Sequence, residues 1–257
     1  MQRAAPNPSV KKNLRKIRRF YYFSYYLVVI ALNNLIAHRG RDSCLFGENT
    51  KEGVIDSLDR SYVSGVEIDV RITKDNKIVV IHDMTINRTS NGYGFVGKMP
   101  FWKLRKYNFG TDDNVSRICL LKDILKILPN DKIVLIEIKC EVCDKDRFVK
   151  YFASSIKSFL DKNIYVMSFN SEIIKLIKEK CPSVKCGFLI GSFVNYKHID
   201  DEMDFVAISS YSINKVSNYS KPVFVWAINS KERYVDLLSK MNSSTYYIVD
   251  FPRNFCT

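Results

Sequence analysis

From residue 35 onward, short apolar runs alternate with helix-like stretches, and this alternation limits the fold more than any other feature. The runs cover 35–38, 66–70, 77–82, 133–139, 164–169, 186–190, 205–208, 223–227 and 246–249. Helical signals fall between most of them. Residues 49–62 open on Asn49, with Glu52 three positions later as in a capping box. Residues 122–128 stop at Pro129, and 171–180 stop before Pro182. Strands that alternate with helices predict a parallel sheet with helices outside. One run does not fit a parallel role. Only residues 71–76 separate it from the run before, whereas a parallel crossover needs about a dozen residues, and Asp75-Asn76 supplies turn chemistry. Residues 77–82 are therefore expected to return antiparallel as a hairpin at the rim. The eight remaining runs predict an α/β fold, a TIM-type (β/α)8 barrel in one domain over 35–257. Residues 83 to about 117, with Asn91-Gly92, Gly94, Gly97, Pro100 and Phe101-Trp102, form a loop insertion after strand 2. It belongs at the carboxyl-end face, where loops shape sites.

Residues 1–34 stand outside this pattern as a basic and apolar N-terminal extension. Seven cations and no acid fall in the first 19 residues, so the formal charge of +13 leaves +6 for the remainder. Residues 20–32 are apolar but fall short of the roughly 20 residues a spanning helix needs. No signal-peptide cleavage site follows them. No linker separates them from the first strand. The extension is read as a helix that covers the barrel floor or lies at a membrane interface, making peripheral contact with lipid through residues 1–32. A nucleic-acid partner is not expected. The seven cysteines include one lone Cys140-x-x-Cys143 pair, without the partners of a zinc site. They are read as reduced thiols of a cytoplasmic protein.

The charged residues inside the strands point to chemistry. Glu67 and Asp69 sit two apart in a strand and so share a face, with Val66, Ile68 and Val70 opposite. Two inward carboxylates repel, and the usual remedy is a cation. The next barrel strand adds Glu137 and Lys139 on one face. Three carboxylates from neighbouring strands make a hard oxygen site for Mg²⁺ or Ca²⁺, and Lys139 is placed to meet a phosphate oxygen. His38 and His82 end two apolar runs at the same rim, where barrel chemistry takes place. His198 lies in a polar stretch and is assigned no role. Two imidazoles can take a proton from a nucleophile and give one to a leaving alkoxide. A divalent cation, Arg39 and Lys139 can offset the charge on a phosphodiester.

The motifs Ile36-Ala-His-Arg-Gly40, Glu48-Asn-Thr50, Val66-Glu-Ile-Asp-Val70, Val80-Ile-His-Asp83, Asn87-Arg-Thr-Ser-Asn-Gly92 and Ile136-Glu-Ile-Lys139 follow one another in order. Weaker echoes continue at Ser168-Phe169, Val225-Trp-Ala-Ile-Asn229 and Val249-Asp-Phe-Pro252. Together they resemble the glycerophosphodiester phosphodiesterases. The resemblance implies that Glu67, Asp69 and Glu137 bind the metal and that His38 and His82 are the general acid and base. It implies phosphate contacts from Arg39 and Lys139, with Glu48 in the surrounding shell and Trp226 lining the substrate pocket; Asn49 is left as a helix cap. The implied reaction hydrolyses a glycerophosphodiester to glycerol 3-phosphate and an alcohol. Gly47 before the Glu-Asn-Thr motif and the 207–211 strand exit depart from the family pattern. A lysophospholipid or glycerol-phosphate polymer is therefore kept as an alternative substrate, and a non-catalytic membrane-associated phosphate binder as an alternative role.

Overall fold

The computed structural model describes residues 34–192, 203–216 and 219–255. The N-terminal extension and His198 lie outside the described residues, as do the expectations attached to them. Nine strands appear where the apolar runs predict them: β1 (Leu35–Ala37), β2 (Val63–Ile72), β3 (Ile78–Val80), β4 (Ile133–Ile138), β5 (Asn163–Ser168), β6 (Lys185–Ile190), β7 (Phe205–Ser209), β8 (Val223–Ile228) and β9 (Thr245–Val249). All except β3 pair in parallel, and the β1–β2 pairing closes them into an eight-stranded barrel. β3 lies antiparallel on the carboxyl end of β2, Val70 opposite Val80. It occupies the edge that β1 leaves free, since β1 pairs with β2 only as far as Val66.

Helices fill the connections: α1 (Lys51–Leu58), α2 (Phe101–Leu104), α3 (Leu121–Ile127), α4 (Lys145–Ile156), α5 (Ser171–Lys180) and α6 (Lys231–Leu238). One start signal is corrected. The Thr50 hydroxyl accepts from Gly53 N and caps α1, so the cap is one residue later than Asn49 and the Asn49/Glu52 box does not form. Asn170 caps α5, through Glu172 N and Ile173 N. Either way an orphan N–H of the first turn is satisfied by a short side-chain oxygen. The cysteine reading is also corrected. Cys140 and Cys143 are joined by a disulfide in the loop after β4. Cys119, Cys181 and Cys186 are buried free thiols, whereas Cys44 is exposed. No helix among the described residues is long and apolar enough to cross a membrane.

Strand alternation divides the apolar side chains into two sets. Val66, Ile68, Val134, Ile136 and Val166 face out and pack under the helices. Ile36, Leu135, Tyr165, Phe205, Phe224 and Ile248 face in and fill the barrel. The interior is aromatic. The Phe224 ring lies 5.2 Å from Tyr165, 5.2 Å from Phe205 and 4.9 Å from Tyr246. Room for Phe205 comes from Gly187 on β6, where a Cβ would stand 2.6 Å from Phe205 O and 2.7 Å from its ring. This plug seals the floor and leaves the upper inward positions to polar residues.

Replacing Phe224, which is fully buried, with Ala should cost about 3–5 kcal/mol, because the surrounding rings cannot collapse into the space. Urea unfolding should show a lower midpoint at an unchanged m-value.

Candidate active site

The inward parity that plugs the barrel also aims Glu67 and Asp69 of β2 and Glu137 of β4 at its carboxyl-end mouth. Asp69 and Glu137 are register partners across β2 and β4. One oxygen from each of the three carboxylates lies within 4.8 Å of the others, and all three residues are buried. Burial, reinforced by the Asp69 charge, raises the Glu67 pKa, and the same two causes raise that of Glu137. Lys139, two residues beyond Glu137 on the same face, puts Nζ 2.5 Å from Glu137 Oε1 and 3.3 Å from Asp69 Oδ1. Glu67 Oε1 is buried with no hydrogen-bond partner among the described residues. A buried trio of hard oxygens with an unsatisfied member fits a divalent cation.

The chain leaves β1 through a tight corner. Arg39 (φ 54°) and Gly40 (φ 62°) are both left-handed. Gly40 is obligatory there, since a Cβ would stand 2.4 Å from Val54 Cγ2 in addition to the backbone strain. The corner turns Arg39 N toward Glu67 Oε2, at 2.9 Å, while the Arg39 guanidinium donates to Glu48 Oε1 at 2.8 Å. His38 then sits over the cluster, Nε2 3.9 Å from Glu67 Oε2, and its Nδ1 donates to Asp250 at 2.8 Å. His82 arrives from the other side. β3 returns to the level of the acids, where Ile81 N donates to Asp69 O at 2.9 Å, and His82 Nδ1 donates to Asp83 Oδ1 at 2.7 Å.

The two imidazoles are tuned in opposite directions. For His38 burial favours the neutral ring, but the Asp250 hydrogen bond and the charges of Glu67 and Asp250 outweigh it and raise the pKa. For His82 burial dominates, Lys139 and Arg39 add to it, and the pKa falls despite Asp69 and Asp83.

His38, Arg39, Glu67, His82, Glu137 and Lys139 line one cavity of about 280 Å³. Its other wall is largely apolar, with Met167, Leu189, Ile248 and Trp226, whose ring meets Phe169 edge-on at 5.9 Å. Two candidates do not line this cavity: Asp69, buried within the carboxylate cluster, and Glu48. Glu48 is clamped between Arg39 and Arg88, with Arg88 Nη2 2.7 Å from Oε1, and faces a separate polar cleft on the far side. An acid held this way fixes the Arg39 guanidinium.

Four residues of the assembly carried no site role in the sequence reading. Asn49 is left-handed (φ 57°) and locks Asp69 at both ends, donating to Oδ2 at 2.9 Å and accepting from the Asp69 amide at 3.0 Å. Asp250 and Asp83 orient the histidines. Arg88 ties the insertion to the rim through Glu48 and Asp83. All four fall inside the quoted motifs, which was the only signal available for them.

The fold and this arrangement define a TIM-barrel protein whose mouth gathers acids, imidazoles and cations around one phosphate-sized cavity. The profile of the glycerophosphoryl diester phosphodiesterase family matches residues 38–246. The chain belongs to that family and is a phosphoric diester hydrolase. It is 28% identical over 215 residues to a glycerophosphodiester phosphodiesterase of Caldanaerobacter subterraneus subsp. tengcongensis, covering 77% of this chain and 86% of the relative. Among solved structures, a phosphodiesterase of Oleispira antarctica, determined with the product sn-glycerol-3-phosphate, superposes with a TM-score of 0.76 at 20% identity. The superposition covers 86% of this chain and 94% of that one. The glycerophosphodiester phosphodiesterase of Thermotoga maritima superposes at 0.68 and 24% identity, over 86% and 96%. These likenesses establish the barrel fold.

In the metal-free protein, imidazole proton NMR should titrate His38 above 6.5 and His82 below it. Asp250→Asn should move the His38 value down and leave that of His82 in place. The sign extends to stability: His38 is raised in the folded state, so its contribution is complete below about pH 6.5 and fades as pH climbs through the folded value.

Proposed function

We propose that this protein hydrolyses glycerophosphodiesters to glycerol 3-phosphate and an alcohol, using His38 and His82 as the acid–base pair beside a divalent cation. The observation that carries this reading is the convergence of two imidazoles, His38 and His82, with Glu67 and Glu137 of a buried three-carboxylate cluster on a single cavity. Glu67, Asp69 and Glu137 would hold Mg²⁺ or Ca²⁺; bound there, it would supply charge compensation for the non-bridging phosphate oxygens.

The protein's own groups divide the remaining work. His82 is biased toward the neutral ring, and with Nδ1 committed to Asp83 it has Nε2 free to take a proton from the attacking hydroxyl. His38 is biased toward the imidazolium, and with Nδ1 held by Asp250 it offers the Nε2 proton to the departing alkoxide. Lys139 and Arg39 contact the phosphate oxygens with fixed cationic donors. Glu48 holds Arg39 in place, and Asn49 holds Asp69. Trp226 and Phe169 form the wall against which the organic limb of the substrate rests.

The apolar wall of Met167, Phe169, Leu189, Trp226 and Ile248 favours a second reading with the same chemistry, in which the substrate is a lysophospholipid. Comparing glycerol 3-phosphate release from glycerophosphocholine with turnover of a lysophospholipid separates the two.

His38→Ala and His82→Ala should each lower turnover by about 10²–10⁴-fold with the thermal midpoint nearly unchanged. Near-normal rates in either variant would remove the acid–base assignment. Excess EDTA should abolish activity, and added Mg²⁺ or Ca²⁺ should restore it. Full activity under chelation would remove the cation.

A further inference from the structure

The insertion between β3 and α3 carries more apolar surface than its own packing uses. It has a private core, in which Ile86, Val96, Leu104 and Phe109 bury against Val79 of β3. Outside that core, Tyr93, Phe95 and Trp102 remain 81%, 50% and 63% exposed, and Met84 is 43% exposed. These side chains are not what holds the insertion together.

Their neighbours along the chain are basic. Between Tyr93 and Tyr107 the chain carries Lys98, Lys103, Arg105 and Lys106 and no acid, and all four cations are exposed. Three of them stand over the rings: Lys98 Nζ is 5.2 Å from the Phe95 centroid, Lys106 Nζ 5.0 Å from that of Trp102, and Arg105 Cζ 5.8 Å from that of Phe101. Met84, Phe95 and Lys98 share a groove with Val142 of the disulfide loop, itself 84% exposed; the two acids on that groove are engaged, Glu141 by the Arg71 guanidinium and Asp144 by the Arg147 amide. Lys139 lines both that groove and the catalytic cavity, so this face adjoins the barrel mouth.

Exposed apolar patches of this kind mark interaction surfaces. Aromatic rings settle at the headgroup level of a bilayer, and each nearby cation gains on the order of fivefold in partitioning to an anionic surface. Exposed rings with cations stacked over them complement a negatively charged lipid surface, which accepts the rings among its acyl chains and the cations among its phosphates. We propose that the exposed apolar and basic side chains of the insertion, Met84, Phe95 and Lys98 on the groove together with Trp102 and Lys106, dock the protein on an anionic phospholipid bilayer, bringing the barrel mouth to the lipid. The docking stands apart from the catalytic assignment, because none of these residues belongs to the site, and apart from the N-terminal extension.

The test uses the full chain and sucrose-loaded vesicles of phosphatidylcholine, with and without phosphatidylglycerol. Binding should require phosphatidylglycerol. Lys98→Glu/Lys106→Glu and Phe95→Ala/Trp102→Ala should each weaken it by about tenfold or more, while turnover of soluble glycerophosphocholine and the thermal midpoint stay at wild-type values. A readout that leaves the patch intact comes from Trp226→Phe, which makes Trp102 the single tryptophan of a chain that has two. Its fluorescence should be quenched by vesicles with brominated acyl chains. Unchanged partitioning of both double variants, or no quenching of Trp102, overturns the proposal. So does a concentration-dependent dimer that Phe95→Ala/Trp102→Ala abolishes with vesicle binding intact, which would assign the face to a second copy of the chain.

Discussion

The arrangement at the barrel mouth depends on one electrostatic problem: three carboxylates held within 4.8 Å of one another and shielded from water. At an effective dielectric of about 20, each pair of charges at that distance repels by about 3–4 kcal/mol, before the larger penalty of taking the charges out of water. Lys139 and Arg39 answer part of it. Two cations against three acids leave one negative charge. A divalent cation would turn that into one positive charge, equal and opposite to the single charge of a phosphodiester.

Holding the acids in place takes strained backbone. Arg39, Asn49 and Phe251 are left-handed non-glycine residues, and each adjoins a group of the site: Arg39 follows His38, Asn49 follows Glu48, and Phe251 follows Asp250. Such conformations persist where surrounding contacts over-determine them. Here the contacts are the hydrogen bonds from Arg39 N to Glu67 and between Asn49 and Asp69, together with Arg41 stacked 4.5 Å over the Phe251 ring. The rim hairpin solves a different problem. A parallel barrel strand ends where its partner ends, but β2 runs on past β1, and β3 uses the exposed edge to carry His82 back to the level of Asp69. The insertion that follows is then locked down by Arg88, so the same element that completes the site also carries the basic aromatic face beside it.

Residue patterns read in one dimension determined the strand count, the antiparallel role of β3 and the inward faces of β2 and β4, because the strand period of two and the length needed for a crossover are local properties. They also determined which acids and which histidines could meet. Phe224 and its neighbours plug the floor because the same period points them inward below the acids. Only the tertiary structure decided that Thr50 and not Asn49 caps α1. The left-handed turn frees Asn49 to bond Asp69, 20 residues along the chain. Only the closed barrel brings Asp250 to His38 across 212 residues, sets the two imidazoles in opposite directions, and turns Glu48 away from the cavity toward the two guanidiniums. These outcomes rest on distances between segments remote in sequence, and no local pattern encodes such a distance until the barrel has closed.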